Sequence, residues 1–332
     1  MSQEKNSKKV SYRNSVKLVG FLKESTLSER VSNNGKHFIT GNITVAVNEF
    51  NTHRVRFTVF QEDNADKYDA LTKFLPSNTV TIASYLKSTP TANFATAASM
   101  AAKVWVMAGF EEYAVRKGEN EKSSVVLRGY TIGTPDPEKT FLPSATFELD
   151  TYIKSMEPEV DDETPTGRLL VEAVVPAYKD LVYIIPLVAP VEDNVAKFMG
   201  AKYEIGDTAR LSGNLVAMRV QLNNEEDDGE EKEPEYFGKQ SDQQYTTRFI
   251  REYVITRGPT KPIKQGEEGS ISNESVTKGL AIRETTMEEN GKRKPKETEE
   301  SSSSESVQAA EPAPAPVAES KAPAANSEDF DF

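Results

Sequence analysis

Two neighbouring stretches, Gly41-Asn-Ile-Thr-Val-Ala-Val47 and His53-Arg-Val-Arg-Phe-Thr-Val-Phe60, decide how this chain folds. In the second, Val55, Phe57 and Val59 fall on one face, and Arg54, Arg56, Thr58 and Phe60 on the other. A period of two is the mark of a half-buried strand, because successive side chains point to opposite sides of a sheet. Upstream, residues 36–49 continue the pattern: Ile39, Ile43, Val45 and Val47 lie on one face, Phe38, Thr40, Asn42 and Thr44 on the other. Before the turn Asn33-Asn-Gly35, residues 15–23 alternate Val16, Leu18 and Leu22 with Lys17, Val19, Phe21 and Lys23, with Gly20 as a bulge or bend. Downstream, Tyr68, Leu71, Phe74 and Leu75 are spaced by threes and fours over residues 64–75, which reads as an amphipathic helix. Residues 80–87 read as a fourth strand carrying Tyr85 and Lys87, and residues 125–132 as a fifth. Between these two, residues 92–102 are helical by composition, and residues 103–115 suit a hairpin containing Trp105.

Three strands, a helix and two further strands are the order of an OB barrel, a small closed sheet whose outer face takes oligonucleotides. The same order recurs: strands over residues 146–155, 168–175 and 181–188, a short helix over 193–198, then strands over 207–220 and 247–256. The two endings echo each other, Arg128-Gly-Tyr-Thr-Ile-Gly133 beside Arg251-Glu-Tyr-Val-Ile-Thr256. The expected fold class is therefore all-β: two tandem five-stranded OB barrels with short helices, at residues 1–134 and 135–258, followed by a disordered acidic tail at 259–332. A single large β-sandwich is the alternative architecture.

The chain has 332 residues, no Cys and two His, so Cys-based zinc sites, three-His metal sites, thiol nucleophiles and disulfides are excluded. No cofactor is expected. No apolar run approaches the roughly 18 residues that cross a bilayer, and the start, Met1-Ser-Gln-Glu-Lys, lacks an apolar signal region. A soluble, cytoplasmic protein without a membrane partner is expected. The net charge of −12 conceals a basic surface, because acids are concentrated in residues 157–163, 225–235 and the tail, while the first 60 residues carry ten basic against four acidic side chains. From Pro259 the sequence turns to Glu/Ser/Lys repeats and an Ala/Pro stretch too poor in apolar groups to offset about 1–2 kcal/mol of backbone entropy per residue. Its last residues, Asp329, Phe330, Asp331 and Phe332, set two large rings among acids.

Several fragments, in order, resemble the bacterial single-stranded DNA-binding proteins: Asn14-Ser-Val-Lys-Leu-Val-Gly20, the turn Asn34-Gly35, Gly41-Asn-Ile-Thr-Val-Ala-Val47, His53-Arg-Val55, Tyr68-Asp-Ala-Leu71 and Val80. The terminal Asp329-Phe-Asp-Phe332 is similar to that family's acidic, Phe-ended tip. The resemblance implies a barrel surface that binds single-stranded DNA and a tip that recruits replication and repair proteins. The chain departs from the family in having Thr52 where a Trp usually precedes the His-Arg-Val stretch, and two barrels where one per chain is usual, which suits a divergent, phage-type or other replication protein.

Sequence-independent binding of unpaired strands needs cations that follow phosphates and rings on which bases stack. By parity the first barrel offers Lys17, Lys23, Lys36, Arg54, Arg56 and Lys87 with Phe21, Phe38, Phe60 and Tyr85, while Phe57 has core parity. Trp105 either stacks on a base or caps the barrel end, and His53 reads as a structural hydrogen-bonding residue. In the second barrel Tyr152, Lys154, Arg168, Tyr178, Lys179, Tyr183, Arg219, Arg251 and Tyr253 could extend the track, against the repulsion of the two acidic runs. That barrel is expected to bind weakly, to mediate self-association, or to let its acidic loop compete with DNA.

Contiguous acids do not make a two-metal nuclease, which needs carboxylates converging from different strands, and no phosphate-binding loop or nucleophile elbow is present. The expected function is non-enzymatic. A protein of this kind coats exposed DNA in replication, recombination and repair, and recruits partners through its tip. The alternatives are an OB-type protein-interaction module and an RNA-binding regulator, since RNA offers bases and phosphates too.

Overall fold

The computed structural model describes residues 12–118, 120–161, 163–222 and 246–292. The chain begins with β1 (Asn14–Ser25), β2 (Ser28–Val31), β3 (His37–Ala46) and β4 (Thr52–Phe60), then α1 (Ala65–Thr72), α2 (Ile82–Ser88) and α3 (Phe94–Met100), and returns through β5 (Lys103–Lys117) and β6 (Asn120–Gly133). β1 pairs antiparallel with β3 and β5, β3 with β4, and β5 with β6, while β4 and β6 close the ring in parallel at Val55↔Leu127 and Arg56↔Arg128. This is the OB circuit. The ring can shut because Gly129 on β6 lies directly over the Phe57 ring, where a Cβ would collide. Inside are the residues that parity assigned there, Val16, Leu18, Leu22, Ile39, Ile43, Val45, Val55 and Phe57, none of them accessible to solvent.

The second copy comprises β7 (Ser144–Asp161), β8 (Thr164–Pro176), β9 (Val182–Ala189), α4 (Val195–Lys202), β10 (Thr208–Leu222) and β11 (Thr246–Arg257). β7 pairs with β8 and β10, β8 with β9, and β10 with β11, and β9 meets β11 in parallel at Val188↔Val254. The two first strands also pair with each other, antiparallel from Asn14↔Leu149 to Val19↔Ser144, so both barrels belong to one eleven-stranded sheet. Asn51, between β3 and β4, reinforces the seam by donating to the Leu215 carbonyl at 3.3 Å and accepting from the Ala217 N–H at 3.0 Å.

Three sequence expectations are corrected. Residues 80–87 form α2, not a strand: Thr81 and Ser84 make a reciprocal capping box, and Ile82, Tyr85 and Leu86 recur at helical spacing against a small cluster of their own. The fourth barrel strand is instead β5, a single strand rather than a hairpin, with Val104, Val106, Ala108 and Phe110 buried at period two. The structureless tail does not begin at Pro259. Residues 259–272 follow the surface of the second barrel, with Ile263 bonded to Thr208 through both backbone groups, and lead into α5 (Asn273–Lys292).

Helix α5 forms because its few apolar residues share one side that finds a partner: Val276 packs with Val174, Val182 and Ile271, and Gly279 admits the close approach of Val182. The helix then crosses to the first barrel. Lys278 pairs with Asp180 at 2.8 Å, Arg283 reaches Glu112 on β5 at 2.5 Å and Glu121 on β6 at 3.3 Å, and Asn290 donates to the Ala114 carbonyl at 3.1 Å. Glu112 also accepts from the backbone N–H of Ile184 on β9 at 2.9 Å and from the Ser123 hydroxyl at 2.6 Å. Burial opposes the charge on Glu112, but these donors outweigh it and hold the carboxyl below the usual range. One carboxylate thus ties both barrels and the helix together.

Candidate nucleic-acid interface

The outer face of β3 and β4 follows from their register. Phe38 stands opposite Phe60, Thr40 opposite Thr58, Asn42 opposite Arg56 and Thr44 opposite Arg54. The two phenyl rings are stacked, with centroids 5.1 Å apart and planes inclined by 28°. The hydroxyls of Thr40 and Thr58 lie 3.2 Å apart. Arg54, Arg56 and Thr58 are exposed, and among the described residues neither arginine is held in an ion pair. Arg56 pairs across the barrel seam with Arg128, which is also exposed and touches Glu111 at 3.4 Å. From Arg54 to Phe60 this row runs roughly 20 Å, at about 3.3 Å per residue. It presents rings at one end and guanidinium groups at the other, the combination that unpaired bases and phosphates require.

The remaining first-barrel candidates, except Lys36 at the ring end of this row, are spread over other parts of the barrel. Phe21 pairs with Ala46, eight positions along β3 from Phe38, or about 25 Å away along the strand. There α2 and α3 cover the sheet, and Phe21 and Tyr85 pack with Ala46, Ile82, Ala97, Ala98 and Ala101. Phe21 also meets Phe141 edge to face at 5.2 Å. Both rings belong to a second small core. Thr52, where the resembled family has Trp, pairs with Ala46 at the same covered end. Lys87 sits exposed in the last turn of α2, and Lys17 sits exposed where β1 meets β5 and β7. Lys23 occupies the bulge between Leu22 and Glu24, which Gly20 was expected to make, and Gly20 instead gives β1 room to approach the Ala46 carbonyl. Lys36 is paired with Glu62 at 2.7 Å. Trp105 stands on β5 between the buried Val104 and Val106, half-buried on the outer side, its ring against Gly133 and its indole N–H bonded to the Thr134 carbonyl at 3.1 Å.

His53 is buried at the seam with the second barrel. Burial foremost, and then Arg251, lower its pKa to about 4, so it stays neutral, and its buried Nε2 has no hydrogen-bond partner among the described residues.

Among the second-barrel candidates, Lys154, Arg251 and Tyr253 line one cleft, together with the acids Glu112, Glu121, Glu172 and Glu284, and Tyr178 and Tyr183 line another. Tyr253 is only 6% exposed and packs on Phe110 at 4.8 Å. Tyr152 bonds Asn273, Lys154 pairs with Glu172 at 2.7 Å, and Arg168 is held between Glu159 at 3.3 Å and Glu252 at 2.7 Å. Arg251 is exposed. Tyr183 is half-buried beside Glu111, and burial first of all pushes its phenol up to about 12. The acidic run at 225–235 and the tip Asp329 to Phe332 lie outside the described residues.

Sequence reading passed over Arg128 and Tyr130 as site residues. Their signal is the parity of β6 before its bulge: Leu127 is buried and Gly129 lies on the Phe57 ring, so Arg128 faces outward, while Tyr130, the extra residue where the pairing with β5 shifts between Met107 and Ala108, is 45% exposed.

No group of three or more acidic or His side chains is placed to hold a metal ion among the described residues, and none of their helices is long and apolar enough to cross a membrane. No curated protein matches the chain. Among solved structures, the chain is similar to the wild-type single-stranded DNA binding protein from Thermus aquaticus, at 13% identity and a TM-score of 0.42 over 79% of this chain and 98% of that one. A deletion mutant of the same Thermus aquaticus protein gives 13% and 0.42 over 78% and 98%. The barrel topology rests on this chain's own strand pairings. The YorF family model matches residues 13–293, most of the chain, and the protein therefore belongs to the YorF family.

Proposed function

We propose that the chain is a non-enzymatic protein that binds single-stranded DNA without regard to sequence, through the outer face of β3 and β4. The observation that carries this reading is the stacked Phe38–Phe60 pair in one open row with Arg54 and Arg56. A ring pair offers flat faces that any base can use, and two guanidinium groups along the strand offer contacts to phosphates. In this reading the first barrel, within residues 1–134, is the binding domain, and the second, within 135–258, is its scaffold. The protein coats strands exposed in replication, recombination and repair, and Asp329 to Phe332 recruit partner proteins. Residues 259–292, which the sequence reads as tail, belong with the folded part.

The test is a titration of the whole chain with oligothymidylate and with duplex of equal length. Binding should favour the single strand and weaken steeply with salt, because phosphate contacts release counterions. Replacing Phe38 and Phe60 together by Ala should weaken binding at least thirtyfold at about 1–3 kcal/mol per stacked base, with the fold intact. Equal affinity for duplex, or an unchanged affinity in the double variant, would overturn the proposal.

A further inference from the structure

The face just described does not stop at Phe60. Thr58 and Phe60 also line a cleft of about 650 Å³ between the barrels, bounded by the start of α1, by β6 and by the connection from β8 to β9. Its walls are unusually rich in rings: Phe60 and Tyr130 come from the first barrel, Tyr178 and Tyr183 from the second. Tyr178 is 74% exposed. The two residues that follow it, Lys179 and Asp180, both adopt left-handed backbone, with φ of 60° and 61°, a conformation that costs energy for side chains of this kind. The connection is anchored from behind by Lys278 of α5 on Asp180. Lys179 places its ammonium 5.5 Å from the Tyr178 ring. Across the cleft, Tyr130 crosses the strand at Gly109, where any side chain would displace its hydroxyl.

We infer that this cleft is a second base-binding subsite, in which a single strand leaving the β3–β4 face inserts one or two bases among Tyr130, Tyr178 and Tyr183, with phosphates met by Arg128 and Lys67. The inference rests on the proposed single-strand binding and extends it to a surface that neither barrel owns. Continuity argues for this occupant, since a strand stacked on Phe60 already stands at the entrance. The chemistry agrees. Phenol rings stack on any base, and the two cations are offset by Asp63 and Glu111, so the cleft attracts a base more than a bare phosphate. Arg128 touches Glu111 at the edge of the cleft and is 57% exposed, free to turn towards a phosphate.

The experiment compares oligothymidylates of about 6 and about 20 nucleotides, within and beyond the roughly 4 to 16 that one OB barrel covers. Tyr178→Ala should leave the short oligonucleotide unaffected and weaken the long one about tenfold, the loss of one stack. Tyr178 is exposed enough for this variant to fold, and circular dichroism checks that it does. A long oligonucleotide carrying 5-iodouracil should photocrosslink to the peptide that contains Tyr178. Unchanged long-oligonucleotide affinity without crosslinking, while the Phe38 and Phe60 double variant still loses binding, would overturn the subsite and leave the proposed function standing. A wild-type chain that binds neither length would overturn both.

Discussion

The two barrels share one circuit of strands and differ in what the second and third strands turn outward. On the first barrel the row is Phe38, Thr40, Asn42 and Thr44 against Phe60, Thr58, Arg56 and Arg54. On the second, β8 and β9 turn outward Leu170, Glu172, Val174 and Pro176 against Val188, Pro186, Ile184 and Val182. The first row is open to solvent along β4. The second is largely apolar; α5 and the segment before it lie over Val174 and Val182, and Glu112 of β5 reaches Ile184, while Leu170 and Pro186 at the other end stay exposed. An apolar face left bare would be a liability in water, whereas a face of Thr, Arg and Phe can stay open at little cost. The same topology therefore yields one open polar row and one apolar face used at one end to hold the molecule together, and side-chain chemistry decides which is which.

That contrast can be broken most severely at Glu112, where the covered face, the first barrel and α5 meet. Its side chain is 2% exposed and that of Arg283 11%. Glu112→Ala leaves a buried guanidinium without its main partner and should cost about 3–5 kcal/mol of stability, read by chemical denaturation. A loss below about 1 kcal/mol would mean that α5 does not clamp the barrels.

The seam at His53 should respond to acid. Its pKa is lowered in the folded state from 6.5 to about 4, so the unfolded chain takes up the proton first as pH falls. Its contribution is complete above pH 6.5 and is lost as pH falls towards 4. The total is about 3 kcal/mol at roughly 1.36 kcal/mol per unit. Denaturation midpoints of wild type and His53→Gln, measured between about pH 7 and 4, should converge over that window, and parallel curves would remove His53 from the account.

A smaller effect separates rings on the open face from rings in a core. Phe60→Ala should weaken binding to single strands by about 1–3 kcal/mol with little change in stability. Phe21→Ala should do the reverse, destabilising the α2–α3 cluster by about 3 kcal/mol while the intrinsic affinity of the folded protein is kept. If Phe21 matters for affinity as much as Phe60 does, the covered end of the sheet takes part in binding. The smallest expected change is in salt dependence. Arg54→Gln and Arg56→Gln should each lower the slope of log affinity against log salt by about 0.7, the value for one phosphate contact on a single strand. The corresponding substitution at Arg168, already held by two acids, should leave the slope unchanged.

The sequence by itself determined the strand faces and the repetition of the barrel. In β4 and β3 the identity of every second residue settles which side is core, because alternation is imposed by backbone geometry and needs no knowledge of neighbours. Phe57 inside with Phe38 and Phe60 outside was legible for that reason. Parity does not report what lies on top of an outward face. Phe21 and Phe60 are both outward, yet one is covered by helices formed far along the chain and the other is not. The strand reading of residues 80–87 failed for a related reason. Ile82, Tyr85 and Leu86 fit a helix as well as a strand over so short a run, and the capping pair Thr81 and Ser84, with a cluster of alanines to pack on, decides for the helix. Helix α5, with few apolar residues, becomes stable only by packing on Val174 and Val182, about a hundred positions earlier. The inter-barrel cleft likewise exists only once β1 has paired with β7. Local pattern fixes which way a side chain points, and only long-range packing decides whether anything is waiting there.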